Sequence, residues 1–208
     1  MTDAGASEFG PAAASLIALA AKAAARGWAP ATSGNFSVRL DTHRALVTVS
    51  GRDKGELTPA DTVVLDLDAP TPPRASAEAP VHAALYRRLP DAGAVVHVHT
   101  VAGTVLSRRS AADGHVVLAG LEMLKALRGI TTHDARVDLR VYPNTQDMEA
   151  FARAVERDAP ELAGWGFLLA GHGLYAWGTS AAEAWRHAEA LGFLLDVTMH
   201  ETEARFPR

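Results

Sequence analysis

The stretch GAVVHVHT, residues 93–100, starts as a buried β-strand and ends with two histidines separated by one residue. The apolar run 93–96 is typical of a strand whose two faces are both covered. Successive side chains of a strand point to opposite faces, so His97 and His99 share one face. The two histidines are therefore either structural residues, in the core or on the surface, or half of a metal site. Other parts of the chain have to decide between these two possibilities.

The sequence on both sides of this strand alternates between helical and strand patterns. We predict helices at residues 11–26, 79–89, 101–109, 121–127, 145–158 and 180–203. We predict single strands at 61–68, 94–99, 115–119 and 136–141, one hairpin around 41–44 and another across 171–173. Paired strands with helices before, between and after them favour an α/β fold with a mostly antiparallel sheet covered by helices. We expect one domain over 11–203, a flexible N-terminus at 1–10 and a C-terminal tail at 204–208.

The composition argues against several classes of protein. The chain of 208 residues contains no cysteine, so it has no disulfide framework or thiolate site, and we expect a reducing compartment, the cytoplasm. A net charge of −4 argues against a nucleic-acid partner. No apolar run approaches the ~20 residues of a membrane helix, so we expect no membrane partner. The alanine-rich segment 12–25 contains Lys22 and lacks the basic start of a signal peptide.

A third histidine, His172, stands between Gly171 and Gly173 at the turn that joins two apolar segments. Packing explains this position poorly, because its glycine neighbours offer no side chains. Two histidines on a strand and one on a distant turn match a catalytic metal site with three protein ligands and an open position. Each signal alone has a structural explanation, but together they favour a metal site at His97, His99 and His172. We expect surface, cap or core positions for the others, which are His43, His82, His115, His133, His187 and His200.

Ser-Gly pairs occur twice at predicted strand ends, in TSGN (32–35) and in VSGRDKG (49–55). Glycine lets backbone N–H groups approach an anion, while serine and asparagine side chains add donors. Arg52 or Lys54 could add positive charge, with Lys54 as our candidate, and Ser76 in RASAE is a third source of donors. Each segment alone is an ordinary turn, but their recurrence at neighbouring strand ends predicts an anion-binding site.

Two glutamates are candidates for proton transfer. Glu78 follows Ser76, and Glu122 lies in AGLEMLKAL directly after a predicted strand, amid apolar residues. An acid at the start of a helix often only caps the helix or interacts with its dipole. A carboxylate beside a metal ion can instead act as a general base. The residues alone leave the choice between the two glutamates open.

Together these segments resemble the class II aldolase/adducin family. The motifs TSGNFS, TVSGRDKGELTP, SAE, VVHVHT and LAGHGLYAWG carry the resemblance, which extends from about residue 12 to about residue 201. It implies a single three-layer αβα domain with a central, mainly antiparallel sheet, and symmetric homotetramers with sites near subunit interfaces. It also implies zinc, or a similar divalent ion, on His97, His99 and His172. The phosphate pocket of the family maps onto Asn35, Ser50, Gly51 and Ser76.

The motifs SGRDKGELTPAD and GLEMLKALRGITTH resemble, in particular, the family members that remove water from a methylthio-substituted ketose phosphate in methionine salvage. The resemblance assigns the acid/base role to Glu122 in such dehydratases and to Glu78 in the sugar-phosphate aldolases. We favour Glu122. The aldolases usually have a second serine before their glutamate, and Ala77 at that position in this chain disfavours an aldolase. The alternatives are an aldolase or epimerase with the same metal chemistry, and a non-catalytic domain such as the adducin head, in which the metal histidines would be lost.

Overall fold

Eight strands form one sheet in the computed structural model, which describes residues 9–162 and 164–205. In chain order they are β1 (Asn35–Arg39), β2 (Arg44–Thr48), β3 (Thr62–Asp66), β4 (Ala94–Val98), β5 (His115–Ala119), β6 (Arg136–Tyr142), β7 (Gly166–Leu169) and β8 (Gly173–Gly178). Their spatial order is β3-β2-β1-β4-β8-β7-β6-β5. Neighbouring strands are antiparallel except β6 and β7, which are parallel. The mainly antiparallel sheet predicted from the sequence is confirmed.

Helices cover both faces of this sheet. The described residues form α1 (Gly10–Ala25), α2 (Ala79–Arg88), α3 (Val101–Arg109), α4 (Met148–Asp158) and α5 (Ala181–Arg205). One core cluster joins α1, α3 and α5 to the first face, and a second joins α2 and α4 to the other. Strand β4 shows the alternation, since Val96 and Val98 belong to the first cluster and Val95 to the second. The three-layer αβα architecture follows. In the part of the chain that the structure describes, no helix is both long and apolar enough to cross a membrane.

Strand direction decides which loops meet at each edge of the sheet. Strands β4, β6 and β7 run in the same direction, so the residues that follow them lie at one edge, which we call the histidine edge. His99 and the turn 170–172 lie at this edge. Strand β5 is antiparallel to β6 and, like β3, is an outermost strand of the sheet. Glu122, which follows β5, therefore lies at the opposite edge.

The observed elements agree with the predicted ones, with two differences of detail. The helix predicted from residue 145 begins at Met148, because Asp147 caps it by accepting a hydrogen bond from the N–H of Ala150 at 2.9 Å. The short helix predicted at 121–127 is a 3₁₀ helix, Glu122–Ala126. The predicted flexible N-terminus and C-terminal tail lie outside the described residues, except for residues 9–10 and 204–205.

A substitution at Gly166, at the start of β7, would test how closely the sheet packs against α5. A Cβ there would lie 2.3 Å from the carbonyl oxygen of Tyr175 and 2.9 Å from Cδ1 of Leu191. Gly166→Ala therefore overpacks the core, which costs about 1–3 kcal/mol, and we expect a lower midpoint in thermal unfolding. Gly164→Ala is the control, since a Cβ there meets nothing within 4 Å. Equal losses of stability in the two variants would contradict this packing.

Candidate metal centre and anion pocket

Three neighbouring strands align three polar side chains in one row across the sheet. Asn35 on β1 pairs with His97 on β4, and His97 pairs with Tyr175 on β8. Directly paired residues point to the same face of a sheet, and this face is the one covered by α2 and α4. The rings of His97 and Tyr175 stack with centroids 4.1 Å apart. The register of the strands therefore places His97.

His99 and His172 complete a group of three imidazoles at the histidine edge. One ring nitrogen from each of His97, His99 and His172 lies within 4.8 Å of the other two, and the Nε2 atoms of His97 and His99 are 3.0 Å apart. Nδ1 of His97 lies 3.2 Å from the carbonyl oxygen of Leu174, to which it can only donate. Its Nε2 consequently faces the other rings with a lone pair, as a metal ligand does.

The chemistry of the three histidines fits a divalent metal ion. Burial lowers the pKa of His97 to about 3 and also lowers the pKa of His99, so both rings are neutral at physiological pH. Neutral imidazole is the form that binds a metal. Three nitrogen ligands leave a coordination position open, as catalytic sites do and closed structural sites do not.

Glu78, the N-cap residue of α2, adds a carboxylate to this group. Its Oε2 accepts hydrogen bonds from the Tyr175 hydroxyl at 2.5 Å and from Nδ2 of Asn35 at 3.1 Å. Its carboxylate oxygens lie 3.1 Å from Nε2 of His97 and 3.2 Å from Nε2 of His172. Burial by itself raises the pKa of Glu78, but His97 and the hydrogen-bonding neighbours hold the pKa well below its ordinary range. Glu78 is therefore an anion beside the candidate metal centre.

A cavity of about 260 Å³, which we call the anion pocket, opens beside Glu78 and His99. Its walls include all five predicted anion ligands, namely Asn35, Ser50, Gly51, Lys54 and Ser76. Lys54 is only 2% exposed, and burial lowers its pKa. Its Nζ donates to the carbonyl oxygens of Thr32 and Arg52, each at 2.7 Å. An ammonium group has three N–H donors, so one remains for a ligand.

The loops around the anion pocket offer further donors. Ala31, Thr32, Gly34 and Gly51 have φ between 50° and 75°, and turns with such left-handed residues present backbone N–H groups to anions. The buried hydroxyl of Ser33 also lines the pocket and has no hydrogen-bond partner within the described residues. Ser33 lies inside the TSGN segment, but the sequence alone did not distinguish it from a turn residue.

Glu122 lies apart from this group within its own chain. It starts the 3₁₀ helix that follows β5, at the edge opposite the histidine edge. Its carboxylate is exposed and accepts a hydrogen bond from Nζ of Lys125 at 2.6 Å, which lowers the pKa of Glu122. The other nine predicted site residues line the anion pocket or belong to the histidine group.

Sequence reasoning did not identify Tyr175 or His82 as parts of the site. Tyr175 donates to Glu78, and Nε2 of the buried His82 lies 2.6 Å from Oδ1 of Asn35. Tyr175 lies two residues after Gly173 and so faces the same side of β8, but only the pairing of β8 with β4 places it against His97. A local pattern carries no such information.

The sequence profile of the class II aldolase and adducin N-terminal domain matches residues 14–199. The chain belongs to the class II aldolase/adducin family. Relatives in this family include methylthioribulose-1-phosphate dehydratase from Parvibaculum lavamentivorans, 49% identical over 200 residues that cover 95% of this chain and 98% of the relative. The enzyme of the same name from Sorangium cellulosum is 48% identical over 198 residues, covering 93% of each chain.

Solved structures of the family share the fold. The L-fuculose-1-phosphate aldolase from Thermus thermophilus superposes with a TM-score of 0.76 at 29% identity, over 92% of this chain and 95% of the aldolase. The class II aldolase fold expected from the sequence motifs is confirmed. In this family setting, the three histidines of this chain are a group that could bind a metal ion.

Gly173 tests whether the histidine group depends on close approach of the backbone. A Cβ there would lie 2.5 Å from the carbonyl oxygen of Val98, 2.9 Å from Cε1 of His97 and 3.1 Å from Cδ2 of His99. Gly173→Ala must displace the two rings, and we expect affinity for divalent metal to fall about 10–100-fold. Competition with a chromogenic chelator measures the change.

The flanking glycine supplies the control. A Cβ on Gly171 would meet only Cβ of Arg108, at 3.9 Å, although its φ of +65° makes the substitution strained. Gly171→Ala should therefore cost stability without moving the rings. If both variants lost metal affinity to the same extent, contact with the rings would not be the cause.

Proposed function

We propose that the protein removes water from 5-methylthioribulose 1-phosphate to give 5-methylthio-2,3-dioxopentyl 1-phosphate, as a hydro-lyase of methionine salvage in the cytoplasm. The observation that carries the proposal is that the histidine group, a carboxylate and the anion pocket are contiguous. A ketose phosphate has a ketone and a neighbouring hydroxyl that can chelate a metal ion, and a phosphate close to them. The ketone and hydroxyl would match the histidine group, and the phosphate would match the anion pocket. The names of relatives 48–49% identical to this chain support the particular ketose.

In this proposal His97, His99 and His172 would hold a zinc ion. When bound, the ion would supply Lewis-acid polarisation of a ketone oxygen, which makes the neighbouring C–H more acidic. The phosphate lies in the anion pocket, where Lys54 offers its third N–H and the positive-φ loops offer backbone donors. Holding the phosphate fixes the position of the carbon whose proton is removed.

Dehydration then requires a base and an acid. The base takes the proton from the carbon next to the ketone, the hydroxyl on the following carbon takes up a proton and leaves as water, and the enol that remains becomes the diketone. Glu78 is a weak base, since Tyr175 and Asn35 donate to its anionic form. We therefore keep Glu122 as the acid/base and assign Glu78 to the metal centre.

Glu122 can reach a metal centre only in another copy of the chain. It lies at the far edge of its own sheet with its carboxylate exposed. Met123 beside it is 36% exposed, which is high for a large apolar side chain and suits a contact between subunits. The proposed assembly is a homotetramer in which Glu122 of one subunit faces the histidine group of the next.

Metal dependence and product mass test the reaction. We expect dialysis against a chelator to abolish turnover and added zinc to restore it, with a product that has lost one water by mass spectrometry. The related aldolase makes C–C cleavage the competing outcome. A phosphorylated three-carbon fragment would identify an aldolase, and full turnover by metal-free protein would contradict the metal mechanism.

Mixed oligomers test whether Glu122 acts in another subunit. Glu122→Gln and His172→Ala should each lower kcat about 10²–10⁴-fold. Unfolding and reassembling the two variants together should restore activity to about a quarter of the wild-type level, because one site in four then combines an intact histidine group with an intact partner glutamate.

Glu78→Gln mixed with His172→Ala is the matched control. Glu78 and His172 lie 3.2 Å apart within one chain, so no mixed site contains both intact groups, and activity should stay low. If Glu122→Gln alone kept its activity while Glu78→Gln lost it, the acid/base would be Glu78.

A further inference from the structure

A line of buried hydrogen bonds runs from the interior of the α2 layer to Glu78. The Tyr86 hydroxyl lies 2.8 Å from Oγ of Ser37, and Oγ of Ser37 lies 2.7 Å from Nδ1 of His82. Nε2 of His82 lies 2.6 Å from Oδ1 of Asn35, and Nδ2 of Asn35 lies 3.1 Å from Oε2 of Glu78. The first four of these residues are buried. We call this set the Glu78 relay.

The carboxylate at its end fixes the direction of the relay. Asn35 turns its NH₂ group to Oε2 of Glu78, which also accepts from the Tyr175 hydroxyl, and turns its amide oxygen, which can only accept, to Nε2 of His82. Nε2 of His82 therefore carries a proton. Burial lowers the pKa of His82 to about 4, so the ring is neutral, its Nδ1 is bare and the Ser37 hydroxyl donates to it. The Ser37 oxygen is then the acceptor for Tyr86.

The hydrogen bonds of the Glu78 relay fix the orientation of the Asn35 side chain, and they do not transfer protons. A proton wire needs groups that can both accept and release a proton, and the amide of Asn35 does neither at neutral pH. Instead, the donor on His82 determines which end of the Asn35 amide faces Glu78. With His82 as a donor, Asn35 presents N–H bonds to Oε2 of Glu78, to which Tyr175 also donates. The opposite orientation would place the oxygen of Asn35 against an anion.

We propose that His82 is a positioning residue for the metal centre, acting through Asn35 to hold the carboxylate of Glu78 so that Oε2 accepts from Asn35 and Tyr175 and Oε1 lies against His172. The kinetic part of this inference rests on the proposed dehydration, whereas its structural part does not. His82 is not among the residues that line the anion pocket. Its hydrogen bond to the centre runs through Asn35, and its ring also packs edge-on against Tyr175, with centroids 6.1 Å apart.

The ring tautomer of His82 in the wild-type protein is the first test. Nitrogen NMR of the full chain labelled in histidine is expected to show a neutral ring at this position with the proton on Nε2. This measurement needs neither substrate nor turnover, so it stands if the proposed reaction is wrong. A proton on Nδ1 would overturn the direction of the relay.

Substitutions at His82 are the second test. His82→Leu removes the donor to Asn35, and we expect zinc affinity and kcat each to fall about 10–100-fold, as for other partners of metal-site groups. His82→Gln keeps an N–H close to the position of Nε2 and should recover most of both losses. Zinc affinity, measured by chelator competition, separates the relay from any failure of the proposed reaction.

Control variants separate a change in zinc affinity from a general loss of folding stability. Val155→Ala on α4 opens a cavity in the same core cluster as α2 without touching the relay, and is expected to lower the unfolding midpoint while zinc affinity is kept. Ser37→Ala, a smaller change in case His82→Leu does not fold, should lower zinc affinity in the same direction. If Ser37→Ala and His82→Leu kept wild-type affinity, or if His82→Gln lost as much as His82→Leu, the relay would not position Glu78.

Discussion

The buried carboxylate of Glu78 is the constraint on which the site depends. A charge taken out of water is costly unless donors surround it, and the donors to Glu78 come from Asn35 on β1 and Tyr175 on β8. His97, between them on β4, stacks on Tyr175. A slip of one residue between these strands would turn a member of the row to the opposite face. Surrounding this anion therefore requires the register that also places His97, a candidate metal ligand.

The anion pocket contains a buried positive charge, that of Lys54, in contrast to the buried negative charge of Glu78. Lys54 is buried, and the hydrogen-bond acceptors of its ammonium group are two carbonyl oxygens. Carbonyl groups satisfy N–H donors but supply no negative charge, and burial accordingly lowers the pKa of Lys54. A bound phosphate would supply that charge. Glu78 and Lys54 thus separate the cavity into a side that favours a cation and a side that favours an anion, which gives an elongated substrate one orientation.

The sequence predicts those parts of the structure that depend on neighbours along the chain. Hydrophobic periodicity gives the strands and helices, and the histidine, Ser-Gly and RASAE motifs mark nine residues that the fold gathers. It does not predict Tyr175 or His82, because their contacts depend on which strands pair and where α2 crosses them. The location of Glu122 depends on β5 pairing antiparallel with β6, and no local pattern encodes which strands pair or in which direction.

The two glutamates differ in how their surroundings would change on assembly. Glu78 already accepts hydrogen bonds from fixed groups, so its affinity for a proton is low in the single chain. Glu122 is exposed, accepts a hydrogen bond from Lys125 and has Nδ1 of His133 3.9 Å from its carboxylate. Burial between subunits would remove the surrounding water, which raises the pKa of a carboxylate, while Lys125 opposes the rise. A general base works best when its pKa approaches the ambient pH. The exposed glutamate is therefore the one whose basicity the proposed assembly would adjust, which is the physical reason to propose Glu122 as the base and Glu78 as the anion beside the candidate metal centre.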